Sequence, residues 1–288
     1  MTSGPAPTVL AFFLLGGAAC GNSATAAAVA PGCTLVESGH GPTGQVPIRV
    51  VPVASGLEVP WGLAFLPGGD VLVTERPGRV RLISGGQLVP EPVATVPIAP
   101  GGEGGLLGIA ADPGFAENRR FYVYFTGESG GRAVNRLVRY VLAEDHRSAL
   151  DDRVLLDGIP AAQFHDGGRI RFGPDGMLYV GTGDATSPSS AQDPKSPSGK
   201  ILRITTDGSP APGNPSPESP VYVLGVRNVQ AFGWLDDATL VIADHGPSGE
   251  MGRFGHDEIT VARKGANLGW PDVVGCELAG SLKNVMAI

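Results

Sequence analysis

Apolar and polar positions along this chain fall into one pattern that recurs four times. Each copy opens on small or polar residues, runs through an apolar stretch, breaks at a turn containing Pro, Gly or Asp, and enters a second apolar stretch. The copies read GLAFLPGGDVLVTE at Gly62–Glu75, GIAADPGFAENRRFYVYF at Gly108–Phe125, RIRFGPDGMLYVGTGD at Arg169–Asp184 and VQAFGWLDDATLVIADHGP at Val229–Pro247. Short runs of β-branched and aromatic residues bounded by such turns predict a strand pair in each copy. A further apolar segment follows every copy: Arg79–Ile83, Asn135–Leu142, Lys200–Ile204 and Asp257–Ala262. The copies begin about 45 to 60 residues apart, the scale of a propeller blade with loop insertions. The pattern therefore predicts an all-β fold with about four blades, whose loops converge on one central channel.

Composition agrees. The 288 residues include 44 Gly and 26 Pro, and 17% are charged, which suits many short strands and tight turns. A net charge of −7 speaks against nucleic acid or an anionic membrane surface as the main partner. The first residues look like an export segment. VLAFFLL at Val9–Leu15 is too short to span a membrane comfortably, and it leads through small residues to Cys20. GGAAC resembles a bacterial lipobox, although no Lys or Arg precedes the apolar core and Gly17 stands where Leu is usual. Plain secretion, with cleavage near Ala26–Ala30, fits as well. The chain thus divides into an export segment at 1–20, a flexible tether at 21–45 and a propeller at 46–288, with an exported location, either lipid-anchored in the cell envelope or secreted. In either case Cys33 and Cys276 remain, as a disulfide or as two free thiols.

Polar residues cluster at the strand ends. His165 enters the third strand pair and Asp184 leaves it, so a hairpin brings both to one rim. A carboxylate beside an imidazole makes a general base, although an ordinary structural contact has the same form. Arg227, Asn228 and Gln230 stand at the mouth of the fourth pair. The Arg offers a fixed fork of donors to an oxyanion, or a salt bridge between blades. Gly246–Pro247, with Asp257 and Glu258 soon after, offers the carbonyl and carboxylate oxygens that suit Ca2+. GGEGG at Gly101–Gly105 does not open a helix after a strand and is not a dinucleotide-binding loop.

Taken in order, VPWGLAFLPGGDVLVTERPGRVRLI, GGEGGLLGIAADPGF, HDGGRIRFGPDGMLYVGTGD, LGVRNVQAFGW, DHGP followed by DEI, and KGANLGWP resemble the glucose/sorbosone dehydrogenase family. Its members are sugar dehydrogenases that use pyrroloquinoline quinone (PQQ). The resemblance covers roughly Val51–Pro271. It implies a six-bladed β-propeller, PQQ and Ca2+ as cofactors, an aldose sugar as substrate, oxidation at the anomeric carbon to a lactone, and an external electron acceptor. Matched position by position, His165 is the base, Asp184 orients it, and Arg227 holds the quinone oxygens. Asn228 contacts the cofactor, and Gln230 stands beside it in the same motif. Gly246 and Pro247 supply carbonyls to the cofactor-side Ca2+, and Glu258 is the acid of a second, structural Ca2+ site. Glu103 stands where some members carry a substrate-contacting Gln.

Family members usually continue beyond KGANLGWP, whereas 17 residues follow Pro271 here, so about four of six blades and a C-terminally truncated chain are expected. Open sheet edges then invite association, with a homodimer as one outcome. A non-catalytic exported propeller that binds carbohydrate or a protein partner is the alternative function. A Ca2+-dependent lactone hydrolase is a third, but it would need several channel carboxylates that the sequence does not supply.

Overall fold

The computed structural model describes residues 48–99 and 101–275, together with the backbone of a two-residue ladder between Ala28–Val29 and Glu277–Leu278. The export segment, Cys20, Cys33 and Cys276 lie outside the described residues. Among the described residues no helix is long and apolar enough to cross a membrane.

Four antiparallel sheets follow one another along the chain, each with its strands in sequence order. Blade one comprises β1 (Pro60–Phe65), β2 (Val71–Glu75), β3 (Arg79–Ser84) and β4 (Gln87–Leu88), with β5 (Ala94–Thr95) also paired to β3. Blade two comprises β6 (Leu106–Ala111), β7 (Arg120–Ser129), β8 (Arg132–Leu142) and β9 (Ala149–Pro160). Blade three comprises β10 (Ile170–Phe172), β11 (Leu178–Gly181), β12 (Lys200–Ile204) and β13 (Val221–Leu224). Blade four comprises β14 (Val229–Asp236), β15 (Thr239–Asp244) and β16 (Glu258–Ala262). All four strand pairs expected from the repeats are present, in a four-blade propeller arrangement. The repeat did not announce the one-turn helix Phe115–Asn118, which fills the turn of blade two, or the long, bulged β9.

Strand alternation explains how the blades stack. Successive side chains of a strand point to opposite faces. On β7, Phe121, Val123 and Phe125 pack with Leu72, Val80 and Leu82 of blade one. The intervening Tyr122 and Tyr124 face the other way, onto Ile170, Leu178, Val180 and Leu202 of blade three. On β11, Leu178 and Val180 meet blade two, while Tyr179 packs with Val229, Phe232 and Ile242 of blade four. The middle strands of blades one to three are thus buried on both faces, which is why these runs read as nearly continuous apolar stretches, whereas in blade four only alternate residues of β15 are buried.

Within each hairpin, the entry to the first strand and the exit of the second lie at the same rim. An acid at the exit closes this end in three blades. Glu75 accepts the N–H of Glu58, Asp244 accepts those of Arg227 and Asn228, and Asp184 accepts that of Thr186. Lys200, fully buried, pins the loop beyond Asp184 by donating to the carbonyls of Ser190, Ala191 and Ser198 at 2.7–2.9 Å. Burial lowers its pKa to about 8.

Candidate active site

His165, the residues around Arg227 and the end of β15 meet at one rim of the propeller. Asp184 lies at the centre of the arrangement and is fully buried. Its Oδ1 is 2.8 Å from His165 Nδ1 and accepts the Thr186 N–H at 2.9 Å. Its Oδ2 accepts the indole N–H of Trp270 at 2.8 Å. A carboxylate that receives donors from Thr186 and Trp270 has only acceptors to offer His165, so an imidazole proton sits on Nδ1 and Nε2 is the nitrogen this carboxylate does not engage.

The backbone around this pair is strained in a way the surroundings enforce. His165, Ala185 and Thr186 have φ of 65°, 49° and 61°, left-handed values unusual for residues with side chains. The His165 N–H donates to Glu103 Oε2 at 3.0 Å, and its carbonyl accepts the Ala185 N–H at 3.2 Å. Gly183 passes so close beneath that a Cβ there would lie 1.8 Å from the His165 carbonyl oxygen.

Arg227 is 2% exposed. Its Nη1 donates to the His245 carbonyl at 2.9 Å, its Nη2 is ion-paired with Glu250, and its Nε has no partner. The guanidinium lies 5.7 Å from the Trp270 ring, so one indole supports both Asp184 and Arg227. The Glu250 carboxylate that pairs with Arg227 also lies 3.3 Å from His165 Nε2. The base and the guanidinium therefore converge on one common point.

His245, which accepts from Arg227, also lines a cavity of about 170 Å3 with Trp61, Arg76, Glu103, Asp166, Asn228 and Gln230; His165 and Arg227 themselves do not line it. The Asn228 side-chain carbonyl accepts the Gly167 N–H at 3.0 Å, which leaves its amide N–H groups as the available donors. The Gln230 carbonyl accepts from Arg169, whose guanidinium stacks 4.1 Å from the Trp61 ring, so blades one, three and four are tied across the channel.

Gly246, Pro247 and Glu258 line a second, far smaller cavity of about 10 Å3, together with Asp244. The Gly246 carbonyl is 2.9 Å from His245 Nδ1, and the Pro247 carbonyl accepts the Gly255 N–H at 2.8 Å. Each keeps a second lone pair. Burial pushes Asp244 up to about 6 and Glu258 up to about 7. Among the described residues no group of three acidic, His or Cys side chains forms a metal cluster. Any cation here would depend on the backbone carbonyls.

Sequence reasoning missed two side chains of this site. Trp270 sits in the quoted KGANLGWP motif without a role, and Glu250 lies in a loop whose residues carry no local signal.

A family model described as Glucose / Sorbosone dehydrogenase matches residues 57–285. The chain is 30% identical over 237 residues to the aldose sugar dehydrogenase YliI of Escherichia coli (strain K12), a match that covers 78% of this chain and 62% of that protein. It is 30% identical over 259 residues to quinoprotein glucose dehydrogenase B of Acinetobacter calcoaceticus, covering 77% and 52%. The chain thus spans about half to three-fifths of the length of these curated relatives. Among solved structures, the PQQ-bound form of aldose sugar dehydrogenase from Streptomyces coelicolor matches with a TM-score of 0.72 at 41% identity, over 82% of this chain and 68% of that one.

Proposed function

The chain belongs to the glucose/sorbosone dehydrogenase family, and from that premise we propose that it oxidises an aldose sugar at the anomeric carbon to the lactone. The observation that carries this reading is the convergence of His165 Nε2 and the buried Arg227 guanidinium on one point, with their bonded partners Glu103 and His245 lining a cavity.

The residues suit PQQ. Arg227 is a buried cation with an orphaned Nε, which favours an acceptor-rich ligand. When bound, PQQ supplies an o-quinone that takes the electron pair removed from the sugar and passes it to an external acceptor. His165 Nε2 takes the proton of the anomeric hydroxyl. Asp184 fixes the Nδ1–H tautomer and balances the positive charge the ring then carries. Arg227 stabilises negative charge on acceptor oxygens, and Asn228 and Gln230 are placed to contact the cofactor. Glu103 faces the same cavity, where its carboxylate would accept sugar hydroxyls. The carbonyls of Gly246 and Pro247, with Glu258 and Asp244 behind them, form a hard oxygen set that would hold Ca2+.

Titrating the purified chain with PQQ and Ca2+, then following dye-linked oxidation of aldoses, tests the reading. Turnover that requires both additions is expected, and absence of PQQ binding would overturn it. We place the protein outside the cytoplasm on the leader sequence alone. Membrane association that is lost in a Cys20→Ser variant would identify the lipid-anchored form, and release of soluble protein the secreted one.

A further inference from the structure

The loop from β15 to β16 carries one side chain that no motif predicts. After Pro247 the chain makes a small hairpin: Ser248 bridges Phe254, and Gly249 N–H donates to the Arg253 carbonyl at 2.9 Å. At its tip is the short 3-10 turn Glu250–Gly252, with Met251 at φ 56°. Met251 and Phe254 point outward, 57% and 71% exposed. Glu250 turns back instead. Its Oε1 pairs with Arg227 Nη2 and lies 3.3 Å from His165 Nε2, while its Oε2 accepts the Ser248 N–H at 2.6 Å.

The physical reason is the guanidinium. Arg227 is almost wholly buried, and a buried cation without a counter-charge is costly. Its Nη1 is satisfied by His245, but Nη2 needs an acceptor, and Glu250 reaches in from the solvent side to supply it. Burial alone would raise the Glu250 pKa, yet the bond from Arg227 together with backbone N–H donors, that of Ser248 among them, brings it down to about 2. The same contact blocks both working atoms. A carboxylate oxygen 3.3 Å from Nε2 stands where a substrate hydroxyl would have to approach that nitrogen, and an Nη2 held by that carboxylate cannot bond a ligand oxygen.

We propose that Glu250 is an internal competitor for the site: its carboxylate occupies His165 Nε2 and Arg227 Nη2 in the ligand-free protein and is displaced by a ligand that brings its own acceptor oxygens to Arg227. The selected ligand class is a planar anion with paired oxygens, such as an o-quinone. A neutral sugar alone does not restore the charge balance that Glu250 provides. The identity of that ligand as PQQ rests on the functional reading above, whereas the competition itself does not.

Two measurements on the full chain separate these points. The first is hydrogen exchange of the segment 248–254 without ligand. The Ser248 amide is expected to exchange at least tenfold faster in Glu250→Ala than in the native chain, because its acceptor and the anchor to Arg227 are both gone. Equal exchange would overturn the competitor. The second is PQQ binding in the presence of Ca2+, read by quenching of tryptophan fluorescence. Glu250→Ala is expected to bind at least tenfold tighter, and Glu250→Gln by an intermediate margin, because a site open one part in ten binds tenfold more weakly than an open one. Equal or weaker binding by both variants would overturn the competitor. If no form binds PQQ, the functional reading falls and the exchange result alone decides the role of Glu250. Glu250 lies on a solvent-facing loop, and matching urea midpoints verify that the variants fold.

Discussion

Replacing Asp184 by Asn leaves the shape almost unchanged but makes one of its two oxygens into a donor. Three donors now point at this carboxylate: His165 Nδ1–H, the Thr186 N–H and the Trp270 indole N–H, at 2.8, 2.9 and 2.8 Å. An amide has one oxygen and one NH2, so it cannot accept from both sides. If the oxygen faces Trp270, the NH2 meets the Thr186 N–H and forces His165 Nδ1 to become an acceptor. The ring proton then moves to Nε2, and the base is lost. If the oxygen faces His165, the NH2 meets the Trp270 N–H in a fully buried place. Either way at least one buried donor is left unpaired, at a cost of about 1–3 kcal/mol. A base with the wrong tautomer loses on the order of 10²- to 10⁴-fold in rate. Dye-linked sugar oxidation with PQQ and Ca2+ measures the rate, urea unfolding measures the stability, and nitrogen NMR of the histidine ring in the free protein reads the tautomer directly. Removing the indole N–H in Trp270→Phe should couple to Asp184→Asn, so the double variant loses less than the sum of the single losses. A native rate and native stability with the proton still on Nδ1 would together refute the reasoning.

Two further predictions concern the frame of the site. Gly183→Ala places a Cβ 1.8 Å from the His165 carbonyl, so the backbone must shift; a loss of about 3 kcal/mol or more in urea unfolding is expected, and an unchanged midpoint would contradict the packing. Asp244 and Glu258 hold their protons more tightly folded than unfolded, with values near 6 and 7 chiefly because of burial. Their contribution to stability is therefore full below about pH 4 and is lost as pH rises through about 7. In EDTA the melting temperature should fall over that window, and Ca2+ should offset the fall. A flat profile in EDTA would exclude the buried acids as the cause.

The blades were legible because their code is local. Alternation along Phe121–Phe125 already contains two faces, and the Pro, Gly and Asp turns already mark where each hairpin reverses. His165 and Asp184 could be paired from sequence for the same reason, since a single hairpin brings its own two ends together. The short helix in blade two escaped because four residues hold too little periodicity to register.

The sequence by itself determined the repeat, the strand pairs and the rim at which the polar residues would gather. Only the tertiary structure decided how they were joined there. Trp270 reaches Asp184 across 86 positions, and Glu250 connects Arg227 to His165 across neighbouring blades. Strand pattern depends on residues a few places apart, whereas these bonds depend on how separate hairpin ends are turned toward one channel, and on the need of a buried carboxylate and a buried guanidinium for partners wherever the fold brings them within reach.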